Sequence, residues 1–304
     1  MDLKEFTDLI KIKPYLIKMG KGLLSKRYNI STNDVVRAKR EAREHINTLH
    51  LPKVLLFDIE TAPLKAYVWK LWKTDIHNEQ VINDWFCLSW SAKWLYSNKV
   101  MGDVVTSEEA LKEDDSRIMK NLWCLINNAD IVISHNGDRF DIPRINSRFI
   151  INGLDPTTPY FSIDTCKIAK KQFGFSSNKL DALATYFNIP NKLHTEFALW
   201  KACLEGDKKA LGYMLKYNKQ DVVILEEVYL KLRPWIKNHP NIGNLDGTQA
   251  ACANCGSEDI EVISGKYYYT SVGKYETFRC KHCGAISRGR RSVQKYPKLI
   301  STSR

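Results

Sequence analysis

Four carboxylates and one phenol, spread over three separated segments, are the side chains of this 304-residue chain whose types and spacing best suit chemistry. Asp58 and Glu60 sit in Val54-Leu55-Leu56-Phe57-Asp58-Ile59-Glu60-Thr61. Asp141 closes His135-Asn136-Gly137-Asp138-Arg139-Phe140-Asp141, and Tyr217 and Asp221 frame Tyr217-Asn218-Lys219-Gln220-Asp221. An ionised carboxylate in an apolar setting is costly unless something cationic compensates it. A set that neighbouring Lys and Arg cannot neutralise points to divalent metal ions, and ions held by carboxylates point to phosphate-ester chemistry.

The elements that carry these groups follow from local patterns. Leu51-Pro52 ends a helical region, and an apolar strand begins at Val54. Two acids two apart on a strand share a face, with Ile59 packing on the other. Further strands are expected at Asp84–Trp94, Lys99–Thr106, Asp130–Ser134 and Ser162–Thr165. A helix is expected at Asp115–Asn127, with Ile118, Met119, Leu122, Leu125 and Ile126 near one face, and another at Ile142–Ile151. The segment from there to about Trp235 reads as mostly helical. Asp141 then stands where a strand passes through a Gly-containing loop into a helix. Tyr217 and Asp221, four apart, lie one turn apart on a single helix face. Strands in series, then alternating helices and strands, make an α/β fold: a mixed sheet flanked by helices. One strand, one loop and one helix can present all five groups to a shared cleft that suits two hard cations about 3.5–4 Å apart.

Phe57-Asp58-Ile59-Glu60-Thr61, His135-Asn136-x-x-x-Phe140-Asp141 and Tyr217-x-x-x-Asp221 together resemble the three exonuclease motifs of the DnaQ-like DEDD superfamily. Tyrosine at position 217 resembles the DEDDy branch, which includes polymerase proofreading domains and RNase D. The wider stretch from about Lys53 to Trp235 looks like the RNase H-like exonucleases of the YprB type, often seen in phage-like genomes. The resemblance implies a metal-dependent 3′–5′ exonuclease with two Mg²⁺ or Mn²⁺ ions. Asp58, Glu60 and Asp221 would bind the first, Asp58 would bridge to the second, and Asp141 would hold the second partly through water. Tyr217 would orient the attacking water with Glu60. Thr61 and Asn136 would contact the terminal nucleotide, and Phe140 would wedge or stack. Taken singly, Asp58 and Glu60 could cap a strand end and pair with Lys53 or Lys65, and Asp221 could be an ordinary helix acid. The three motifs in order favour the metal site. His135 and His194 are also candidates for catalysis, but Tyr217 fills the motif position, which leaves them as structural or substrate-contacting groups. Asp164 and Asp181 read as turn and helix-cap acids.

The eight cysteines divide into two classes. Cys87, Cys124, Cys166 and Cys203 are isolated and read as small buried hydrophobes. Cys252-Ala253-Asn254-Cys255 and Cys280-Lys281-His282-Cys283 are two C-x-x-C knuckles, each followed by glycine. Four thiolates at this spacing suit one structural Zn²⁺ in an arrangement resembling a zinc ribbon. Glu261–Ile263 and Tyr267–Tyr269 read as strands between the knuckles, and His282 could substitute for a cysteine, though its position between ligands reads as exposed. The tyrosines here, interleaved with Arg279, Arg288, Arg290 and Arg291, suit single-stranded nucleic acid, with protein docking as the competing use.

The net charge of +12 is carried by the flanks. Residues 1–50 hold 11 Lys/Arg against 6 Asp/Glu, residues 246–304 hold 10 against 5, and the middle holds 25 against 23. Basic flanks around a near-neutral centre fit a polyanion gripped outside and cut inside. Residues 1–50 are expected to be helical. Ser31–Asp34 would cap a basic helix Val35–Glu44, in a pattern that suits either a helix-turn-helix or a small helical cap. The organisation expected is helices at 1–50, an RNase H-like exonuclease domain at 51–238, and a linker with zinc ribbon and basic tail at 239–304. DNA is favoured over RNA as the partner. A proofreading role would require a replication or recombination protein, since the chain has no polymerase domain. No apolar run approaches a membrane span and the N-terminus lacks a secretion-signal layout, so a cytoplasmic location is expected. The competing functions are a structure-selective endonuclease or exoribonuclease on the same fold, and a non-catalytic nucleic-acid-binding adaptor.

Overall fold

A computed structural model describes residues 1–12, 16, 19–46, 52–190, 193, 195–242, 251–271 and 273–294. His194, residues 243–250 of the expected 239–304 region and its tail from 295 to 304 lie outside these residues. The chain divides into two compact units, Lys53–Lys231 and a second made of Met1–Pro52 with Leu232–Arg304.

Unit Lys53–Lys231 is built on a five-stranded mixed sheet. Its strands are β1 (Val54–Thr61), β4 (Cys87–Trp94), β5 (Val100–Val104), β6 (Ile131–Ser134) and β7 (Phe161–Asp164), in the order β5-β4-β1-β6-β7. β4 runs antiparallel to β1 and β5 antiparallel to β4, whereas β6 and β7 run parallel to β1. A continuous apolar run suits a strand covered on both faces, and Val54, Leu55, Leu56 and Phe57 are buried accordingly in central β1. The small hairpin β2 (Lys65–Ala66) and β3 (Val81–Asn83) was not expected. The loop between its strands leaves Trp69 96% and Trp72 82% exposed.

The two sheet faces differ in side-chain size, and that difference places the helices. Register puts Ile59 opposite Trp90 on one face, where the Trp90 indole donates to the Ile118 carbonyl of α5 (Ser116–Asn127) at 2.7 Å. Ile118, Met119, Leu122 and Ile126 are buried against this face, and Leu125 is partly buried against the same core. On the other face, Asp58 lies opposite Ser91 and Ser91 opposite Gly102. A Cβ at Gly102 would stand 2.8 Å from Ser91 Oγ, 2.9 Å from Lys219 Cε and 3.0 Å from Leu215 Cδ1. Small residues there let α10 (Lys208–Leu232) come close to the sheet. The approach is locked by Glu226, which pairs with buried Lys93 of β4 and accepts from the Tyr96 backbone N–H at 2.9 Å.

Helix α4 (Ser107–Lys112) was not foreseen, although Thr106 and Glu109 form the reciprocal capping box that marks a helix start. The remaining helices of this unit are α6 (Asp141–Ile151), α7 (Thr165–Gln172), α8 (Leu180–Tyr186) and α9 (Phe197–Leu204). Cys87, Cys166 and Cys203 are buried as expected. Cys124 is exposed, because its position on α5 falls outside the stripe that faces the core.

In the second unit, α1 (Leu3–Ile12), α2 (Lys21–Tyr28) and α3 (Thr32–Ile46) share an apolar core of Phe6, Ile10, Leu16, Leu24, Ile30, Val35, Ala38 and Ala42. α3 begins earlier than the expected Val35, because Ser31 Oγ accepts from the Asp34 backbone N–H at 3.1 Å and so caps it. A three-stranded sheet of β8 (Ile260–Thr270), β9 (Gly273–Cys280) and β10 (Ile286–Ser292) completes the described part, in the order β10-β9-β8. The two strands expected at 261–263 and 267–269 are one, β8. Its register against β9 shifts between Val262 and Tyr267, where Gly265 takes φ +71.

Candidate active site

β1 pairs with parallel β6 only from Val54 to Leu56, so the rest of its edge on that side is left for other partners. The loop after β6 turns there with Asn136 at φ 64. Gly137 follows in close contact, since a Cβ at this position would fall 1.8 Å from Ser134 Oγ. Only glycine tolerates that approach. The turn delivers Asp141, at the start of α6, to the open edge, where its Oδ1 accepts from the Ile59 backbone N–H at 3.2 Å. α10 supplies the third side. Asn218 Nδ2 donates to Asp58 Oδ2 at 2.6 Å, and one turn of helix aims Tyr217 and Asp221 at the same place.

Carboxylate oxygens of Asp58, Glu60 and Asp221 all lie within 4.8 Å of one another. Asp141 is outside that trio but close enough to be the strongest like-charge neighbour of Asp58. Burial first, then repulsion from Asp141, Glu60 and Asp221, pushes the Asp58 carboxyl well above its ordinary range. Glu60 is pushed up to about 8 by burial and by Asp221 and Asp141. Asp141 rises to about 7, chiefly by burial, despite the N–H from Ile59. Asp221 also rises to about 7 by burial, offset by a hydrogen bond from the Tyr217 hydroxyl. Burial and the Asp221 charge hold the Tyr217 phenol protonated far above neutrality. Lys65, a candidate partner for the β1 acids, instead pairs with Glu113 at 3.5 Å. Among the described residues, no ion pair involves Asp58, Glu60 or Asp221. Clustered oxygen donors without a compensating cation are the donor set that hard divalent ions take.

Glu60 leads into a cleft of about 410 Å³ lined by Thr61, Ala62, Pro63, Leu64, Trp85, Arg144, Phe197 and Trp200. Arg144 lies one turn after Asp141 and holds its guanidinium 4.5 Å from the Trp85 ring centroid and 4.4 Å from that of Phe140. Thr61 therefore lines the cleft, and Phe140 has one ring face occupied by Arg144. The Asn136 backbone N–H is spent on Asp164 Oδ1 at 2.9 Å. Sequence reasoning missed Trp85, Arg144, Phe197, Trp200 and Asn218. Asn218 carried a signal, because it follows Tyr217 inside a motif, but nothing local marks the other four. His135 bonds Thr165 Oγ1 at 2.8 Å and the Asn178 carbonyl at 2.9 Å, a structural role. Asp164 caps α7 by accepting from the Cys166 and Lys167 N–H groups, and Asp181 lies in the first turn of α8.

The four knuckle sulfurs of the second unit lie within 4.8 Å of one another, with Cys252–Cys283 at 3.6 Å and Cys255–Cys280 at 3.7 Å. Four sulfurs each about 2.3 Å from a tetrahedral zinc would stand about 3.8 Å apart. The knuckle turns repeat each other. Gly256 N–H bonds the Cys252 carbonyl at 2.8 Å and Gly284 N–H the Cys280 carbonyl at 2.9 Å, with the glycines at φ +71 and +80. His282 is half-buried rather than exposed, its Nδ1 3.4 Å from Cys255 Sγ.

Residues 95–233 match the RNase_H superfamily. The matched span is slightly under half of the chain. It contains Asp141, Tyr217 and Asp221 and begins after Asp58 and Glu60. Protein NEN2 of Arabidopsis thaliana is 39% identical over 62 residues, which are 20% of this chain and 13% of that protein. The family B DNA polymerase of the hyperthermophilic archaeon Pyrobaculum calidifontis superposes with a TM-score of 0.43 at 15% identity, over 60% of this chain and 25% of the polymerase. The chain thus spans a small part of the length of either protein. Its mixed sheet flanked by helices is RNase H-like, and that superfamily supports a nuclease-type function. Among the described residues, no helix is long and apolar enough to cross a membrane.

Proposed function

We propose that this protein is a metal-dependent 3′–5′ exonuclease that hydrolyses phosphodiester bonds of nucleic acid, DNA in preference to RNA. The observation that carries the reading is the trio Asp58, Glu60 and Asp221, uncompensated by any described cation, with Asp141 beside Asp58 and Tyr217 bonded to Asp221. Asp58, Glu60 and Asp221 would hold one Mg²⁺ or Mn²⁺, and Asp58 with Asp141 a second. Such ions acidify water and draw charge from the phosphate as the leaving 3′-oxygen departs.

The rest falls to the chain's own side chains. Asn218 fixes the rotamer of Asp58 by donating to its Oδ2. The Ile59 N–H holds Asp141 in the same way. Because the Tyr217 phenol keeps its proton, it acts by hydrogen-bonding and orienting the attacking water, together with Glu60, rather than as a base. The adjoining cleft suits a terminal nucleotide. Trp85, Phe197 and Trp200 give apolar walls for a base, and Arg144, held against two rings, offers its edge to a phosphate. Thr61 lies on the cleft wall, and Asn136 and Phe140 flank the turn into α6. We assign residues 51–238 to the nuclease domain and residues 239–304 to a linker and a zinc ribbon with one structural Zn²⁺.

The test is a degradation assay with Mn²⁺ on strands labelled at either end. Release of the 3′ label as mononucleotide, abolished in Asp58→Ala with binding retained, is the expected result. Undiminished cutting by Asp58→Ala would overturn the mechanism. Internal cuts would indicate the structure-selective endonuclease, and a preference for RNA the exoribonuclease. Binding without cutting of any DNA or RNA would indicate an adaptor.

A further inference from the structure

The three-stranded sheet of the cysteine unit has two faces, and they are chemically unlike. Register across β8, β9 and β10 sorts the residues, because side chains directly opposite one another in antiparallel strands share a face. Tyr268 stands opposite Tyr275, Arg288 opposite Thr277, and Ile286 opposite Arg279. Alternation along β9 puts Tyr275, Thr277 and Arg279 on one side. Arg290 joins Arg288 there, since a Cβ at the intervening Gly289 would meet Phe278 at 3.6 Å on the opposite side. This first face therefore gathers Tyr268, Tyr275, Arg279, Arg288 and Arg290. Its acid, Glu261 opposite Arg279, is paired with Lys281 at 3.3 Å. The second face carries Tyr267, Tyr269 and Phe278 with Lys274, Glu276 and, by the same alternation along β10, Arg291.

One arginine of the first face, Arg288, is also held in place. The Arg288 guanidinium lies 4.4 Å from the Tyr275 ring centroid and 5.3 Å from that of Tyr268. A guanidinium held on aromatic faces keeps its N–H edge for an anion and loses less freedom when it binds one. Tyr268 remains 50% exposed, and Arg279, Arg288 and Arg290 are all exposed. A phosphate chain satisfies the arginines, and unpaired bases satisfy exposed tyrosine rings. A duplex, with its bases stacked inside, would use only the first.

We propose that the Tyr268–Tyr275–Arg288 face of the ribbon is a single-stranded nucleic-acid platform, distinct from the carboxylate site and independent of its chemistry. The opposite face takes no part. The test uses the full zinc-loaded chain without Mg²⁺ or Mn²⁺, and measures fluorescence anisotropy of a labelled oligothymidylate. Tyr268→Ala and Arg288→Ala should each weaken binding about five- to a hundredfold. Arg288→Ala should also reduce the salt slope by about 0.7. Tyr268→Phe should restore the affinity. Tyr269→Ala and Lys274→Ala, on the opposite face, should leave it unchanged. Zinc content of each variant checks that the knuckles are intact. Equal losses from both faces, no loss from either, or equal affinity for a duplex of the same length would overturn the proposal. Polyglutamate competing as well as oligothymidylate would overturn it in favour of an acidic protein partner.

Discussion

The carboxylate site and the cysteine knuckles both suit metal ions, yet they relate to folding in opposite ways. Around the carboxylates the sheet and its helices bury a large apolar core, which includes Leu55, Phe57, Trp90, Met119, Leu122 and Phe149. That core can carry four acids pressed together as an electrostatic burden. Around the knuckles the buried cluster is Cys252, Cys280 and Ala285, with Cys255, Ile260 and Cys283 packed on it. There the sulfurs are themselves the core. One region has an apolar core of its own apart from its site, whereas the other has a small core made mostly of its candidate ligands, the pattern in which metal binding and folding are coupled. The donors match that division: carboxylate oxygens beside an open cleft in the first, and four sulfurs within 4.8 Å of one another in the second.

Removing metal should separate the two regions most sharply. Structural zinc in small domains is worth about 10–16 kcal/mol. A chelator that strips zinc, or Cys280→Ser, should therefore abolish hydrogen-exchange protection in residues 251–294 and leave β1, β4 and α10 protected. Loss of protection in both regions would erase the contrast.

A smaller effect tests the apolar frame of the carboxylate unit. Glu226→Ala removes the carboxylate that pairs with buried Lys93 between β4 and α10, which should cost about 3–5 kcal/mol. Denaturant unfolding of this unit should show it, with the knuckle cysteines still holding zinc.

The mildest effect concerns the burden itself. Glu60 has a folded pKa of about 8 and Asp141 and Asp221 about 7, all above their unfolded values. Groups raised in this way favour folding while protonated, so their contribution is complete below an unfolded pKa of about 4. It is lost as pH climbs through 7 and 8. Without divalent ions, the thermal midpoint of this unit should fall between pH 5 and pH 8.5, and Mn²⁺ should raise it again at the upper end. Asp58→Asn removes one repelling charge and should flatten the fall while sacrificing activity. A midpoint unresponsive to pH would show that the acids are not crowded.

Much of this contrast was legible in residue order. The Asp58–Glu60 pair could be read because strand geometry repeats every two residues. Tyr217 and Asp221 could be read because helix geometry returns after four, and the knuckles because a C-x-x-C turn followed by glycine is a local structure. The helix stripe Ile118, Met119, Leu122 and Ile126 was equally visible. Features that join distant segments were not. The β2–β3 hairpin is too short to leave a periodic signal, whereas the exposure of Cys124 follows from the visible α5 stripe and was missed by grouping it with the other isolated cysteines.

Residue types and spacing by themselves determined which groups of this protein suit chemistry, since each motif lies within one strand, turn or helix whose repeat is set by backbone sterics. Only the tertiary structure decided what surrounds them. Asn218 reaches Asp58 across 160 residues, and Asp141 reaches the Ile59 N–H across 82. Both contacts exist because β6 stops pairing with β1 at Leu56 and because Ser91 and Gly102 let α10 approach the sheet. Strand register and the volume of facing side chains set those approaches, and neither quantity belongs to any one segment of the chain.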